Sequence, residues 1–183
     1  MTMLKDRYLL WRLKRGSPRA LCRIYSRYEN DLLTLATSLL GRADQAEDVL
    51  HDVFVKFVES IDTFELTSSL KAYLATCVAN RARDYRRKDR RHAGETMETA
   101  QGIESRQDGP VQLAIVNEQQ QRLVTALAEL PDEQQEAVLL HLQAGLKFRE
   151  IAHAQGVSAK TAWSRYRYGI DRLRSMLNGE VES

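Results

Sequence analysis

One run of apolar residues constrains the fold more than any other feature of the chain. Leu21, Tyr25, Tyr28, Leu32, Leu35 and Leu39 recur at alternating steps of four and three. That spacing keeps all six on one stripe of an α-helix and would scatter them over both faces of a strand. Ser17-Pro18 sets an N-cap residue before a proline at the first helical position, and Gly41 supplies the stop. A long amphipathic helix must bury its stripe against other elements. No apolar run of period two occurs in the chain, so those elements are helices.

The pattern repeats along the chain. Asp44 with Glu47 has the form of a capping box, and Ala46, Leu50, Val53, Phe57 and Ile61 carry a second helix to about Ile61. Ser68 or Ser69 caps a third, with Leu70, Tyr73, Leu74, Cys77 and Val78 inward, which runs on as a basic segment. Residues 92–110 lose the periodicity and hold Gly94, Gly102, Gly109 and Pro110, which marks a linker. Beyond it Val116, Leu123, Leu127 and Leu130 predict a fourth helix closed by Pro131, and Val138, Leu139 and Leu142 a fifth stopped at Gly145. Phe148, Ile151 and Ala152 form a short sixth before Gly156. Ser158 caps the last, with Ala162, Tyr166, Ile170, Leu173 and Leu177 inward. The expected architecture is all-α: two small helical domains, 1–91 and 118–183, joined by a flexible acidic linker.

Composition narrows the class. The 183 residues are 43% hydrophobic and 28% charged, too apolar for a disordered chain and too charged for a membrane protein. No run approaches the roughly 18–20 apolar residues that span a bilayer. The first fifteen residues include Lys5, Arg7, Arg12, Lys14 and Arg15 and lack a secretory apolar core, so the expected location is the cytoplasm. Cys22 and Cys77 fall on apolar helical faces without ligand spacing and read as buried, reduced thiols.

The net charge of +2 hides a strong pattern. Residues 81–91 carry seven bases against two acids, residues 92–120 five acids against one base, and residues 158–177 five bases against one acid. Two separated cationic segments are the footprint of a chain that touches nucleic acid twice, although solvated helix faces account for the charge equally well. The short helix, Gly156 and the basic helix after it have helix-turn-helix spacing, with Ala152 and Ala162 small where the helices cross. Lys160, Thr161, Ser164, Arg165 and Arg167 then lie near the start of the second helix, within reach of base edges and phosphates. In the third helix Tyr73, Asn80, Arg81, Arg83, Tyr85, Arg86 and Arg87 interleave aromatic and amide groups with arginine, which suits unpaired DNA. Glu47, Asp48 and His51 share a helical face as metal ligands would, but no second carboxylate–histidine pair accompanies them. Neither a phosphate-binding glycine loop nor a nucleophile elbow is present, so the sequence reads as a non-enzyme without metal or cofactor.

At these residues the chain resembles the extracytoplasmic-function (ECF) group of the sigma-70 family. Tyr28, Ala46-Glu47-Asp48, Asp52-Val53-Phe54, Phe64, Tyr73-Leu74 and the run from Asn80 to Arg87 resemble the family's region two. Leu130-Pro131, Gly145-Leu146, Glu150-Ile151-Ala152, Gly156-Val157, Thr161-Ala162, Ser164-Arg165 and Leu173-Arg174 resemble region four. The resemblance implies a transcription initiation factor whose partners are core RNA polymerase, promoter DNA and an anti-sigma factor. It assigns polymerase binding to Asp48, Asp52, Phe54 and Phe57. Melting and reading of the −10 element fall to Phe64, Tyr73, Asn80, Arg81, Arg83, Arg86 and Arg87, and −35 reading to Lys160, Thr161, Ser164, Arg165 and Arg167. The chain departs from the family at Tyr73, where tryptophan is usual, and at Ala162 and Trp163, where valine and a small or basic residue are common. Gly169 inside the last helix has no explanation in the sequence. The alternative readings are a stand-alone helix-turn-helix regulator and a metal-dependent helical enzyme built on the Asp48–His51 cluster.

Overall fold

A computed structural model describes residues 2–67, 69–97 and 118–179. They form α1 (Thr2–Lys14), α2 (Pro18–Leu40), α3 (Ala43–Glu59), α4 (Leu70–Met97), α5 (Glu118–Ala128), α6 (Asp132–Leu142), α7 (Phe148–Gln155) and α8 (Ala159–Gly179), with no strand among the described residues.

The stripe on α2 is buried from Tyr28 onward, whereas Leu21 and Tyr25 are only half-buried and Ala20 and Ile24 face the core at that end. Tyr28, Leu32, Leu35 and Leu39 face α3 and α4, and Ile24, Val49, Phe57, Leu70, Leu74 and Val78 complete the core of the first bundle. Each such side chain removed from water contributes about 1.5–3 kcal/mol. Gly41 ends α2 at φ 71°, its N–H bonded to the Thr37 carbonyl. Ser69 caps α4, its Oγ accepting from the Ala72 N–H at 3.0 Å.

Several local expectations are corrected. Residues 2–14 form α1, which buries Leu9, Leu10 and Leu13 on α2. Asp6 goes down with them at 1% exposure. Its carboxylate accepts from the Tyr28 hydroxyl and the Arg27 guanidinium, both at 2.7 Å. Burial first, then the Asp6 contact, pushes the Tyr28 phenol well above its ordinary range, so it stays a donor. No capping box opens α3: Arg42 is the N-cap, and Asp44 bonds its guanidinium instead. Cys22 is exposed rather than buried. Cys77 is half-buried, and burial holds its thiol above the usual value. α4 continues six residues past Arg91, where the sequence led us to expect the linker to begin. Val116 and the rest of that linker beyond Met97 lie outside the described residues.

The second bundle closes around α6. Leu142 is 60% exposed and Leu123 43% exposed, against expectation, while Leu140 is fully buried. Six consecutive α6 residues, from Gln135 to Leu140, are buried, because α6 packs on α8 along one side and on α2 and α4 along the other. The same packing explains Gly169. A Cβ there would meet Val138 Cγ2 at 2.8 Å and the Gln134 carbonyl at 3.3 Å, so only glycine lets α8 approach α6 this closely.

The two halves are docked. Leu139, Leu140, Leu146 and Ile151 belong to the same buried apolar cluster as the first bundle. Gln135 Nε2 and Gln143 Nε2 donate to the Ser38 carbonyl and Ser38 Oγ at 3.3 and 3.1 Å.

Candidate polymerase and promoter interfaces

The amphipathic pattern of α3 turns its carboxylates outward and its aromatics inward. Asp48 is exposed, and no ion pair among the described residues involves it. Asp52 is half-exposed and holds Arg81 of α4, with Arg81 Nε at 2.9 Å, so it fastens α3 to α4. Phe54 is 6% exposed and Phe57 1% exposed. Phe57 therefore shapes this face from beneath, and a partner meets Phe54 only at an edge. That edge borders an apolar groove between α2 and α3 lined by Leu21, Tyr25, His51, Val55 and Val58. Val55 was missed from sequence because it falls off the main stripe of α3, and Tyr25, read there as core, is only half-buried and faces this groove. The groove exists only once α2 and α3 are side by side.

The loop after α3 and the first turn of α4 bring aromatic rings together. Phe64 packs on Tyr73 with ring centroids 4.6 Å apart, and on Phe57 at 5.4 Å edge to face. Burial raises the Tyr73 phenol, and Cys77 adds to the effect, so the ring remains neutral. Asn80 lies exposed two helical turns along the same face, and Arg83 donates to its Oδ1 at 3.2 Å. Arg81 reaches Asp52 and lies 5.0 Å over the Tyr85 ring. Arg87 is exposed and pairs with Asp84.

The remaining arginines of this face are occupied by the other half of the chain. Arg83 pairs with Glu136 of α6 at 2.6 Å and donates to the Ala154 carbonyl at 3.2 Å. Arg86 bonds Asp132 and Gln135, each at 3.1 Å, and lies 4.0 Å from Glu136. Arg90 also bonds Asp132. Sequence reasoning missed Asp132 and Glu136. They stand four residues apart at the start of a helix, and nothing in their spacing names the arginines they meet.

The helix-turn-helix forms as its spacing implies. Gly156 turns the chain at φ 65°, and Ala152 and Ala162 are buried where α7 and α8 cross. The Glu150 carboxylate accepts from the Lys147 N–H at 2.8 Å, and Ser158 Oγ caps α8 through the Thr161 N–H at 3.0 Å. Lys160 is exposed and makes no ion pair with the described residues. The Thr161 hydroxyl is drawn back to Ser158 at 2.8 Å, while Ser164 is half-exposed. Arg165 is braced by Gln155 Oε1 at 3.0 Å. The exposed Arg167 guanidinium sits between the Trp163 and Tyr168 rings, 5.1 and 5.0 Å away. Among the described residues no group of three or more potential metal ligands comes together.

Known proteins share this arrangement. The family model for sigma-70 region 2 matches residues 24–92, and that for sigma-70 region 4 matches residues 120–173. The ECF RNA polymerase sigma factor EcfG of Rhodopseudomonas palustris is 32% identical over 80% of this chain and 77% of its own length. The ECF RNA polymerase sigma-E factor of Haemophilus influenzae is 25% identical over 98% of this chain and 96% of its own. The sigma factor RpoE of Bartonella quintana, solved with the anti-sigma factor NepR, superposes with a TM-score of 0.68 and is 28% identical. That match covers 85% of this chain and 95% of the other. Two region models in this order, on helices that form an aromatic-lined arginine face and a helix-turn-helix, place the chain in the sigma-70 family as an ECF RNA polymerase sigma factor.

Proposed function

We propose that this sigma factor, which directs promoter-specific initiation by core RNA polymerase, divides the work between its halves and catalyses nothing itself. Exposed Asp48 and the apolar groove beside Phe54, whose lining includes Glu59, bind core polymerase, a pairing of carboxylates and apolar surface suited to a basic amphipathic partner. Phe64, Tyr73 and Asn80 take the melted −10 strand, since unpaired bases offer faces and edges that duplex DNA hides. Lys160, Ser164, Arg165 and Arg167 enter the −35 major groove. No helix among the described residues is long and apolar enough to cross a membrane, and the protein acts where polymerase and DNA are, in the cytoplasm. An anti-sigma protein is the expected further partner, as NepR is in the Bartonella complex.

One observation carries this reading: the arginine face of α4 is complete yet plugged by acids of α6. DNA phosphates and the α6 carboxylates compete for Arg83 and Arg86, so promoter opening requires the halves to separate. Transcription with core polymerase tests the assignment. Asn80→Ala should impair open-complex formation more than closed-complex binding to the duplex promoter. Unchanged opening, or an equal loss in closed-complex binding, would refute the role given to Asn80.

A further inference from the structure

α1 carries a second stripe that the fold does not use. Its buried side is Asp6, Leu9, Leu10 and Leu13. On the other side Leu4, Tyr8, Trp11 and Arg15 recur at steps of four, three and four. Leu4, Tyr8 and Trp11 are 73%, 54% and 50% exposed. Tyr8 and Trp11 stack at 6.1 Å with their planes 24° apart, and the Arg15 guanidinium lies 4.0 Å over the Trp11 ring. A contiguous exposed aromatic stripe, unlike scattered surface residues, marks an interaction site.

The setting is cationic. Residues 1–27 hold eight lysines and arginines against one acid, Asp6. That acid is buried and already satisfied by Arg27 and Tyr28. Lys5 and Arg23 line a cleft between α1 and α2 beside Leu4 and Tyr8, and neither makes an ion pair with the described residues. The end of α1 also lies against the loop that presents Phe64: Lys14 Nζ donates to the Asp62 carbonyl at 3.2 Å.

Flat aromatic faces flanked by cations match the chemistry of unpaired nucleotides, whose bases stack while their phosphates are neutralised. Duplex DNA hides its base faces, and an acidic polypeptide has no bases to stack. We propose that the α1 stripe is a further nucleic-acid contact for single-stranded DNA running on from the Phe64 loop. The bases lie on Trp11 and Tyr8, and the phosphates on Lys5, Arg15 and Arg23. Only the path of the strand rests on the role given to Phe64; the affinity of α1 for single strands does not.

Anisotropy of a labelled oligo-dT of about 20 nucleotides, longer than one site requires, measures this on the full chain without polymerase. Tyr8→Ala with Trp11→Ala should weaken binding about tenfold with an unchanged circular dichroism spectrum, because both rings are outside the core. Lys5→Ala with Arg23→Ala should lower the salt slope by about 1.4, near 0.7 for each phosphate that is no longer neutralised. An abasic strand of the same length should bind wild type only as well as oligo-dT binds the aromatic variant. With core polymerase, the aromatic variant should assemble normally and form open complexes that decay faster under heparin. Unchanged oligo-dT affinity in the aromatic variant would overturn the proposal, as would an abasic strand that binds equally well. Polyglutamate binding as tightly as oligo-dT would identify an acidic polypeptide as the occupant instead. Loss of the heparin effect alone, with oligo-dT behaviour as expected, would overturn the strand path and leave the site.

Discussion

Replacing Glu136 by glutamine tests whether the α6 carboxylates hold the two halves together. The substitution keeps shape and an acceptor oxygen but removes the charge. The Glu136 side chain is 3% exposed and faces Arg83 at 2.6 Å and Arg86 at 4.0 Å. At such distances a unit-charge pair is worth about 4 kcal/mol at an effective dielectric near 20. Arg83 is 45% exposed, so solvent screens much of its share, and Arg86 retains Asp132. The glutamine oxygen restores part of one hydrogen bond. With these offsets, the docked arrangement should lose about 2–3 kcal/mol, near the low end for breaking a buried pair. That shifts the docked-to-undocked ratio by about 30- to 150-fold.

Small-angle scattering and urea unfolding read the result. Wild type should scatter as a compact particle and unfold in one transition. Glu136→Gln should expand, and its transition should split as the halves uncouple. Arg83, Arg86 and Arg90 should also be cut sooner by trypsin. A variant with the wild-type radius and a single unshifted transition would refute the reasoning, because the apolar contacts alone would then hold the halves together.

Three further outcomes are expected. Gly169→Ala should lower stability by about 1–3 kcal/mol in thermal melts, overpacking against Val138 outweighing the roughly 1 kcal/mol gain in helix propensity; a raised melting temperature would refute the close approach. Tyr28→Phe leaves buried Asp6 with Arg27 alone and should cost about 1–3 kcal/mol. Because the folded phenol titrates above its ordinary value of 10.0, its stabilisation is intact below that pH and lost as pH rises further, so the alkaline loss should shrink in the variant. Arg165→Ala should weaken transcription from all −35 variants together, with the salt slope reduced by about one, if Arg165 grips phosphate; relaxed selectivity at a single position would show that it reads a base.

Local and long-range information separate cleanly in this chain. Helices α2, α4, α7 and α8 were legible because apolar stripes, Gly41, Gly156, Ser69 and Ser158 act within a few residues of themselves. The helix-turn-helix was legible for the same reason, since Ala152, Gly156 and Ala162 enforce it by size and backbone freedom at short range. Helix α1 was not. Its buried Leu9, Leu10 and Leu13 compete in the sequence with exposed Leu4, Tyr8 and Trp11, so its periodicity cancels. On α6 the sequence offered no means of choosing Leu140 over Leu142, because a helix enclosed on two sides has no single inward stripe.

The candidate sites divide in the same way. Charge pattern and motif order determined which segments are cationic, which helix forms the second half of the turn motif, and which family the chain joins. Only the tertiary structure decided which of those cations are already engaged. Arg81 serves Asp52, and Arg83 and Arg86 serve Glu136 and Asp132, partners 29, 53 and 46 residues away for the bonded pairs. Charge is a property of each residue and can be counted along the chain. Its neutralisation depends on Coulomb contacts a few ångströms long between segments whose sequence separation carries no trace of their distance in space.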